Sequence, residues 1–577
     1  MRRRTLLLSG AGAAGALVVG WGLLPPRDRL GSPDTLPAVA GEIALNGWIK
    51  VAADGTVLLA MNRSEMGQGT HSALAMLAAE ELDVPLARLR LIPAGPDRLY
   101  GNVATMVTSL PWFHPRETEP GHESNEARAG QWVVAKIARE LGINVTGGSS
   151  SVVDAWDVVR LAAATARARL LGAASLRWKQ PVRELVVVDG VVSHSSGVSA
   201  GYGELAQDAV ATPSGAVQLK QRGDWKLIGR PLPRIDVPAK TDGSAVFGVD
   251  VRPPGLLHAA LRHCPMLGGA AGAVDETAAL ALPGVERVVR LGPTAGSANA
   301  VAVVGRTWWH ARRGADALAI EWRQRPTGPL ESRAIVDALE ATARSAASTG
   351  GGFTFHARGD VAAAEAASAH LVERVYRAPF LAHATMEPMN CTARVADGRV
   401  DVWAPTQVPG LARDIAAEVA GVDAGDVTVH VTYLGGGFGR RLDVDFVGQA
   451  VRIARETGGR PVQLLWSREE DMTHDFFRPA AAAVLRASLG ADGLPTALVV
   501  TSAGDAITPR WMERGIPTLA GPVDTPDKTT SEGLYDQAYE IANQRIAHVA
   551  TRSGVPIGYW RSVGHSHNAF FSESFID

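Results

Sequence analysis

Residues 427–454 read VTVHVTYLGGGFGRRLDVDFVGQAVRIA, and this stretch decides how the chain is interpreted. The β-branched run at its start predicts a strand, and the apolar residues from Asp445 onward recur at helical spacing. Between them lies the loop Gly435–Gly439, which contains four glycines. Glycine permits positive φ and close approach of the main chain to a ligand, so the loop is either a tight turn or a binding loop. It does not fit the dinucleotide pattern G-x-G-x-x-G, because Arg440 stands where the last glycine is needed.

The order of strand, glycine loop and helix is predicted twice more. In the first copy a hairpin strand leads into Met66-Gly67-Gln68-Gly69 and a helix. In the second, Ile143–Val145 is predicted as a strand and leads into Thr146-Gly147-Gly148-Ser149 and a long helix over 152–171. Backbone amides at three helix starts favour a large ligand with several anionic groups, such as a cofactor that carries a pyrophosphate.

Length and composition bound the class of protein. The chain has 577 residues, enough for roughly four domains of about 150 residues each. Hydrophobic residues make up 46% and charged residues 20%, which is typical of a packed soluble protein. The formal net charge of −2 argues against nucleic acid as a partner. Cys264 and Cys391, the two cysteines, are too few to hold an iron–sulfur cluster in this chain.

The first residues predict export. Arg2-Arg3-Arg4 precedes an apolar or small stretch over residues 5–24, which at about 1.5 Å per residue is long enough to span a bilayer. Arg3-Arg4-Thr5-Leu6-Leu7 resembles a twin-arginine signal, which exports proteins already folded around a cofactor. Residues 1–40 are therefore predicted to be a signal cleaved near Ala38-Val39-Ala40, or a retained membrane anchor. Both alternatives place the rest of the chain in the periplasm or on the periplasmic face of the inner membrane.

A series of short motifs runs through the chain in a specific order. In chain order they are Glu65-Met66-Gly67-Gln68-Gly69, Ala79-Glu80-Glu81-Leu82, Thr146-Gly147-Gly148-Ser149, Pro231-Leu232-Pro233-Arg234-Ile235-Asp236, His383-Ala384-Thr385-Met386-Glu387-Pro388, Trp403-Ala404-Pro405-Thr406-Gln407, Gly435-Gly436-Gly437-Phe438-Gly439, Trp466-Ser467-Arg468-Glu469-Glu470-Asp471 and Trp560-Arg561-Ser562-Val563-Gly564. Together they resemble the large, molybdopterin-binding subunit of the xanthine oxidase family of molybdenum hydroxylases. The branch is that of the isoquinoline 1-oxidoreductase beta subunit and the membrane-associated aldehyde dehydrogenases. The resemblance covers residues 42–577.

The resemblance implies a multi-domain α+β fold with a small hammerhead-type α/β domain. The expected segments are 41–228, an N-terminal permuted molybdopterin-binding segment; 229–325, the hammerhead domain; 326–352, a linker; and 353–577, a second molybdopterin-binding domain.

The end of the last segment is expected to be incomplete. In the family a catalytic glutamate follows the arginine motif in a G-x-G-E sequence, whereas this chain stops at Asp577 inside a predicted helix. The general base is therefore expected beyond residue 577. A helix cut short in this way predicts that the apolar residues Phe570, Phe571 and Phe575 lack their partners.

The resemblance also implies a site. Gly436-Gly437-Phe438-Gly439 is expected to lie against the molybdenum centre, with backbone N–H groups toward its oxygen ligands. Met66-Gly67-Gln68-Gly69 and Thr146-Gly147-Gly148-Ser149 are expected to hold the molybdopterin, in its cytosine dinucleotide form. Arg561 is expected to stabilise negative charge on the substrate, and the plain alternative for it is a surface ion pair. No protein metal ligand is expected, since the sulfurs of the cofactor ligate the metal.

The implied reaction hydroxylates an aldehyde or N-heteroaromatic carbon with oxygen from water, and a carboxylate serves as general base. Because this chain cannot hold a cluster, the electrons are expected to pass to a separate 2Fe-2S subunit and from there to a cytochrome c. One departure from the family is Leu381, which stands in place of a glutamine. Another concerns Gly201-Tyr202-Gly203-Glu204, the only G-x-G-E match. Its Glu204 is either the base or an ordinary glutamate in the first turn of a helix.

Two other classes of function stay open from the sequence. One is a non-catalytic paralogue that binds the cofactor or the partner subunit without turnover. The other is an exported serine hydrolase that uses Ser199, because residues 197–201 match G-x-S-x-G. His565 and His567 form a pair that suggests a metal site or a polar pocket, but no third ligand accompanies them.

Overall fold

The structure is a computed structural model, and it describes residues 28–95, 97–108, 117 and 121–577. Residues 1–27, with the twin-arginine pair and the apolar stretch of the predicted signal or anchor, lie outside the described residues. No helix in the described ranges is both long and apolar enough to cross a membrane. The chain forms two compact units. The first holds the described residues up to Thr241 except Ser64–Gln68, and the second holds Ser64–Gln68 and Asp242–Asp577.

The first unit is built on a four-stranded sheet, a three-stranded sheet and several helices. Its strands are β1 (Glu42–Ala44), β2 (Ile49–Ala52), β3 (Val57–Met61), β4 (Leu89–Pro93), β5 (Leu185–Val188), β6 (Val191–His194) and β7 (Ser199–Gly201). Its helices are α1 (Thr70–Leu82), α2 (Val103–Thr108), α3 (Asn125–Leu141), α4 (Ser151–Trp178), α5 (Tyr202–Ala211) and α6 (Val237–Asp242), which ends at the boundary between the units. The alanine-rich faces of α1 and α4 pack together in the core. The sheet orders are β1-β2-β3-β4 and β5-β6-β7.

Two local predictions in this unit are wrong. Ile143–Val145 forms no strand, because Asn102 satisfies its carbonyls: the Asn102 backbone N–H donates to Ile143 at 2.8 Å, and the side-chain amide donates to Val145 at 2.9 Å. The spacing of Ser151 and Asp154 also predicts a capping box at the start of α4. The Asp154 carboxylate instead forms ion pairs with Arg29 and Arg63.

The second unit contains three sheets. Its strands are β8 (Leu257–His263), β9 (Ala270–Asp275), β10 (Val285–Leu291), β11 (Ala300–Gly305), β12 (Ala319–Arg323), β13 (Phe353–Arg358), β14 (His370–Ala378), β15 (Asn390–Ala396), β16 (Arg399–Ala404), β17 (Val427–Val431), β18 (Val462–Leu465), β19 (Ala481–Leu489), β20 (Pro495–Asp505) and β21 (Asn543–Thr551). Its helices are α7 (Thr277–Leu280), α8 (Trp308–Ala317), α9 (Ser332–Thr349), α10 (Val361–Ala366), α11 (Pro409–Ala420), α12 (Asp445–Ala454), α13 (Arg468–Thr473), α14 (Ile507–Gly515) and α15 (His565–Ile576). The sheet orders are β10-β11-β8-β18-β15-β16-β17, β12-β9 and β13-β21-β20-β19-β14. The predicted multi-domain α+β fold is confirmed.

The region predicted as a separate hammerhead domain, 229–325, shares a sheet with later parts of the chain. β8 pairs in parallel with β18, so that Leu257 lies opposite Val462. Through this pairing β8, β10 and β11 extend the sheet that β15–β18 form. The division between the two compact units falls at Thr241–Asp242 rather than at 229.

The stretch 326–352, predicted as a linker, contains the helix α9. Its many alanines and serines read as linker composition, but they leave a narrow apolar face. Leu339 and Ala343 on that face are buried against Ala482 and Val484 of β19. The segment is therefore a packed part of the second unit.

The last helix, α15, is also packed. Phe571 is fully buried with Leu534 and Tyr535, and Phe575 lies partly buried against the same cluster. Phe570 is 51% exposed, but its ring contacts the Tyr376 ring edge to face, with 5.7 Å between the ring centres. All three phenylalanines that were expected to lack partners therefore have them within this unit.

Candidate functional site

The glycine loop joins β17 to α12 in the predicted order, but the helix does not begin directly after the loop. Arg440–Leu442 forms a tight turn between them, and α12 starts at Asp445. The Asp445 carboxylate accepts two hydrogen bonds from the Arg440 guanidinium, at 2.9 and 2.8 Å. A buried carboxylate thus occupies the helix start, and any ligand must be held by the loop itself.

Three consecutive N–H groups of this loop form an open cradle. Within the described part of the chain, the backbone amides of Gly436, Gly437 and Phe438 have no hydrogen-bond partner. The flanking amides of Gly435 and Gly439 donate to Glu387 and Gln407. The φ angle is positive at Gly436 (96°) and Phe438 (54°) but not at Gly437 between them. Successive amides in such an alternating conformation form a concave site for anionic oxygens.

Two glycines of the loop are required for different reasons. Gly439 has a φ of 102°, and a Cβ there would lie 1.9 Å from the Tyr559 carbonyl oxygen. Gly437 has no positive φ, but its Cβ would lie 2.5 Å from Met66 Sδ and 2.8 Å from Gln407 Oε1. The loop is therefore shaped by protein packed on both sides of it.

The Met66 segment lies beside the glycine loop in the second unit. The Met66 thioether packs against Gly437. Both ends of the Gln68 side chain are used within its own loop: its oxygen accepts from the Met66 N–H at 2.7 Å, and its amide nitrogen donates to the Ser64 carbonyl at 2.9 Å. The structure thus brings Met66 to the glycine loop, while Gln68 fixes the shape of the segment that carries Met66.

Gly69 and Thr146–Ser149 belong to the first unit. Gly69 precedes α1 with a φ of 85°. Gly148 and Ser149 are left-handed, with φ of 58° and 52°, just before the 28-residue helix α4. The N–H groups of Gly147, Gly148 and Ser149 have no partner among the described residues. This loop also presents a row of amides that suits an anionic group such as a phosphate.

Arg561 rests on the aromatic ring of the glycine loop. Its guanidinium carbon lies 4.0 Å from the centre of the Phe438 ring, a cation–π contact. Its backbone N–H donates to the Phe438 carbonyl at 2.7 Å, and its Nη2 donates to the His383 carbonyl at 3.2 Å. Among the described residues no carboxylate lies within ion-pair distance of Arg561, so the surface ion pair that was the plain alternative is not observed.

A buried network of charged and polar side chains holds the glycine loop in place. Asp475 lies between His383 and Arg440, and all three are nearly inaccessible to solvent. Burial alone would raise the pKa of Asp475, but the interactions with His383 and Arg440 outweigh it and lower that pKa. The Arg440 guanidinium also stacks over the Trp466 and Phe476 rings. The carboxylate therefore stays ionised within the protein interior.

One cluster among the described residues, His263, Glu470 and His474, has the composition of a metal site. Trp466 Nε1 donates to Gln449 Oε1 at 3.1 Å, so the Gln449 amide nitrogen faces His263 Nε2 at 3.0 Å. His263 Nε2 therefore accepts a hydrogen bond from this amide. The proton of the His263 ring is on Nδ1, which donates to Glu470 at 2.7 Å. A metal would need Nδ1 without its proton.

The pKa of Glu470 agrees with the hydrogen bond from His263. Burial alone would raise the pKa of Glu470, but the hydrogen bonds from His263 and His474 outweigh it and lower the pKa to about 2. The Glu470 carboxylate lies 2.7 Å from His263 Nδ1 and 3.2 Å from His474 Nδ1, so the three side chains form a hydrogen-bonded cluster.

Two other sequence candidates, Glu204 and Ser199, have structural roles, as does Glu573 near the end of the chain. Glu204 accepts a hydrogen bond from the Gly201 N–H at 2.9 Å in the first turn of α5, the ordinary helix role. Glu573 accepts from the Tyr539 hydroxyl at 2.7 Å. Ser199 opens the short strand β7, whereas a hydrolase elbow places the serine between a strand and a helix.

His565 and His567 serve separate surroundings. His565 lies 2.8 Å from Asp536, and this hydrogen bond raises the pKa of the imidazole. Burial lowers the pKa of His567 to about 3. Neither belongs to a group of three possible metal ligands in the part of the chain that the structure describes.

Sequence reasoning missed the residues that hold the loop in place, chiefly Gln407, His383 and Asp475. The first two lie in motifs that were recognised but received no role. Asp475 follows a helix as a single acidic residue and gives no local signal.

A row of free loop amides beside an arginine–aromatic pair, set in a large α+β chain, suits an oxyanionic ligand next to a charge-stabilising group. The family described as molybdopterin cofactor-binding domain matches residues 346–577 and 11–106. The isoquinoline 1-oxidoreductase subunit beta of Brevundimonas diminuta is 30% identical over 94% of this chain and 69% of its own length. The membrane-bound pyrroloquinoline-quinone aldehyde dehydrogenase of Gluconacetobacter polyoxogenes is 27% identical over 92% and 64%.

Among solved structures, quinoline 2-oxidoreductase from Pseudomonas putida 86 aligns with 61% of this chain and 48% of its own, with 20% identity and a TM-score of 0.46. The chain thus spans about two thirds of the two curated relatives and about half of this solved chain. It belongs to the molybdopterin-binding large subunits of the xanthine oxidase family of molybdenum hydroxylases.

Proposed function

We propose that this chain is the cofactor-binding subunit of an enzyme that hydroxylates an aldehyde or N-heteroaromatic carbon with oxygen from water. The names of the relatives support this substrate range, since one acts on isoquinoline and another on aldehydes. The observation that carries the proposal is the juxtaposition of the Arg561 guanidinium, the Phe438 ring and the free amides of the glycine loop.

Different residues of the chain have different proposed roles in binding the cofactor and in the reaction. The open amides of Gly436, Gly437 and Phe438 fit the oxygen ligands of the molybdenum centre. The amides of Gly147–Ser149 in the first unit suit a phosphate, and we expect the nucleotide of the pterin to be cytosine. When bound, the cofactor supplies two-electron oxidation and the oxygen delivered to carbon. Arg561 stabilises the negative charge that develops on the substrate.

The electrons require a partner. Both cysteines of the chain, Cys264 and Cys391, are buried free thiols, and four ligands are needed for an iron–sulfur cluster. We therefore propose a separate 2Fe-2S subunit, with a cytochrome c as final acceptor. The twin-arginine-like start of the sequence supports a periplasmic enzyme, free or anchored on the inner membrane.

The test uses the matured complex purified from its own host. Metal and nucleotide analysis measures molybdenum and cytosine monophosphate per chain, and dye reduction measures turnover of an aldehyde and an N-heteroaromatic in water labelled with oxygen-18. Arg561→Met is expected to lower kcat by about 10²–10³, the usual cost of removing a charge-stabilising donor. The control is Arg552→Met, which removes an exposed arginine that pairs with Asp524.

Labelled oxygen in the product, together with one molybdenum per chain, supports the proposal. A preparation that contains quinone but no molybdenum, or product oxygen that comes from O₂, contradicts it. Equal kcat in Arg561→Met and Arg552→Met would remove Arg561 from the site.

A further inference from the structure

Three chain segments meet at Arg561. They are Ala382–Ala384, which carries His383; Phe438–Gly439; and Tyr559–Arg561, which His383 contacts. Each contains a non-glycine residue with positive φ: Ala384 (52°), Phe438 (54°) and Arg561 (47°). Such conformations are unfavourable and persist only where the surroundings impose them.

The His383 ring is held between two acceptors. Its Nδ1 lies 2.9 Å from both oxygens of the Asp475 carboxylate, and its Nε2 lies 2.7 Å from the Tyr559 carbonyl oxygen. Neither partner can donate a hydrogen, so both ring nitrogens donate. Asp475 also accepts the His383 backbone N–H. His383 and Asp475 are 1% and 2% exposed in their side chains, so water does not compete for these bonds.

The Tyr559 carbonyl links this pair to the glycine loop. It is the same oxygen that would lie 1.9 Å from a Cβ at Gly439. Two residues later, Arg561 donates its backbone N–H to Phe438 and a guanidinium N–H to the His383 carbonyl. A shift of the Tyr559 carbonyl would therefore move Arg561 relative to Phe438.

We propose that His383 is a positioning residue: held by Asp475, its imidazole fixes the Tyr559 carbonyl and thereby keeps the Arg561 guanidinium over the Phe438 ring. The catalytic consequence rests on the proposed function of Arg561. The structural statement does not, because the position of the Tyr559–Arg561 segment can be measured without turnover.

Two amide variants separate the two ends of the ring. Gln places an N–H donor near the position of His Nε2, and Asn places one near Nδ1. His383→Gln therefore keeps the bond to Tyr559, and His383→Asn keeps only the bond to Asp475. His548→Asn, a buried histidine on β21, is the matched control.

Native-state hydrogen exchange of the holoenzyme is read at the Arg561 amide. We expect His383→Asn to raise the exchange rate of this amide on the order of tenfold. The rate in His383→Gln is expected to stay within about threefold of the wild type. In turnover, His383→Asn is expected to lower kcat about tenfold with KM nearly unchanged, because Arg561 acts on the transition state. His383→Gln is expected to restore kcat.

Equal losses in both variants, or wild-type exchange in His383→Asn, would overturn the proposal. Should His383→Asn not fold, the wild type still decides: the ring nitrogens of labelled His383 must both carry slowly exchanging protons, and a bare Nε2 rejects the bond to Tyr559. Absence of turnover in the wild type, together with the expected exchange pattern, would reject the proposed function and leave the positioning role intact.

Discussion

Gly439 is the residue at which the backbone of the glycine loop is most constrained. Its φ of 102° disfavours any side chain, and the Tyr559 carbonyl fills the space where a Cβ would stand. Since that oxygen belongs to the backbone and is bonded to His383, it cannot give way cheaply. The loop can therefore hold its row of amides only with glycine at this position.

We expect Gly439→Ala to lower the melting temperature and to reduce molybdenum per purified chain severalfold, because left-handed strain costs about 1–3 kcal/mol and the overlap adds to it. Gly410→Ala is the control. Gly410 lies in α11 with negative φ and no neighbour within 4 Å of an added Cβ, and alanine there favours the helix. Metal analysis and thermal unfolding check both variants. Full molybdenum content in Gly439→Ala would show that the loop tolerates displacement.

His548 makes the free energy of unfolding depend on pH. It is buried on β21, where Nδ1 accepts from the Ser502 hydroxyl at 2.8 Å and Nε2 donates to the Gly504 carbonyl at 3.2 Å. Burial lowers the pKa of His548 from 6.5 to about 4. Below pH 6.5 the unfolded chain binds a proton that the folded chain does not, so stability falls as the pH falls toward 4.

Between pH 7 and pH 5 this difference amounts to about 2 kcal/mol. We expect His548→Gln to be less stable at pH 7 but to lose about 2 kcal/mol less than the wild type on going to pH 5. Urea unfolding at both pH values measures this. His370→Gln, at an exposed position on β14, is the control. A parallel loss in the wild type and His548→Gln would mean that other groups cause the acid sensitivity.

At the scale of elements, the turn Arg440–Leu442 determines how the glycine loop meets α12. Arg440 is fully buried, with a bidentate bond to Asp445, and its Nε lies 3.0 Å from Asp475. Burial alone would lower the pKa of Arg440, but the carboxylates, Asp445 foremost, outweigh it and raise that pKa. The turn is thus an ionic anchor in a water-free interior.

Loss of one partner of such a pair leaves a buried charge without compensation, which costs about 3–5 kcal/mol. We expect Arg440→Met and Asp445→Asn each to destabilise the protein by this amount, and the double variant to lose clearly less than the sum. The control is Arg452→Met on the same helix. Its pair with Glu456 is solvent-exposed and is worth less than about 1 kcal/mol. Urea unfolding of the wild type and the four variants tests this prediction. Additive losses of stability in Arg440→Met and Asp445→Asn would mean that these two side chains do not interact.

The sequence predicted the local elements better than the contacts between them. Periodicity and turn residues placed β17, α12 and the hairpin strand before Met66 correctly, because those signals are local. Ile143–Val145 failed because Asn102, distant in sequence, satisfies its carbonyls. The helix α9 was missed because small residues suit both a linker and a packed face.

For the whole molecule, the resemblance of ordered motifs gave the family, but it did not show which segments share a sheet. The parallel pairing of β8 with β18 joins two regions that look unlike in sequence. The site shows a similar division: Met66, Gln407, Phe438 and Arg561 lie in motifs, but Asp475 acts through geometry that only the folded chain creates. A residue inside an ordered motif is therefore easier to single out from the sequence than a lone residue such as Asp475.

We propose, from the first residues of the sequence, that the whole protein is exported. A chain that must receive a large cofactor before it functions is best exported folded, and the twin-arginine route carries folded proteins. We expect replacement of both Arg3 and Arg4 by lysine to leave the protein in the cytoplasm, still loaded with molybdenum. Lysine keeps the positive charge, so retention would show that the arginine pair itself is read and not the charge of the region.

Arg2→Lys is the control and is expected to be exported normally. Cell fractionation followed by metal analysis of each fraction makes the measurement. Normal export of the double-lysine variant would mean that the segment is not a twin-arginine signal, while cytoplasmic retention without molybdenum would mean that the cofactor is inserted after export.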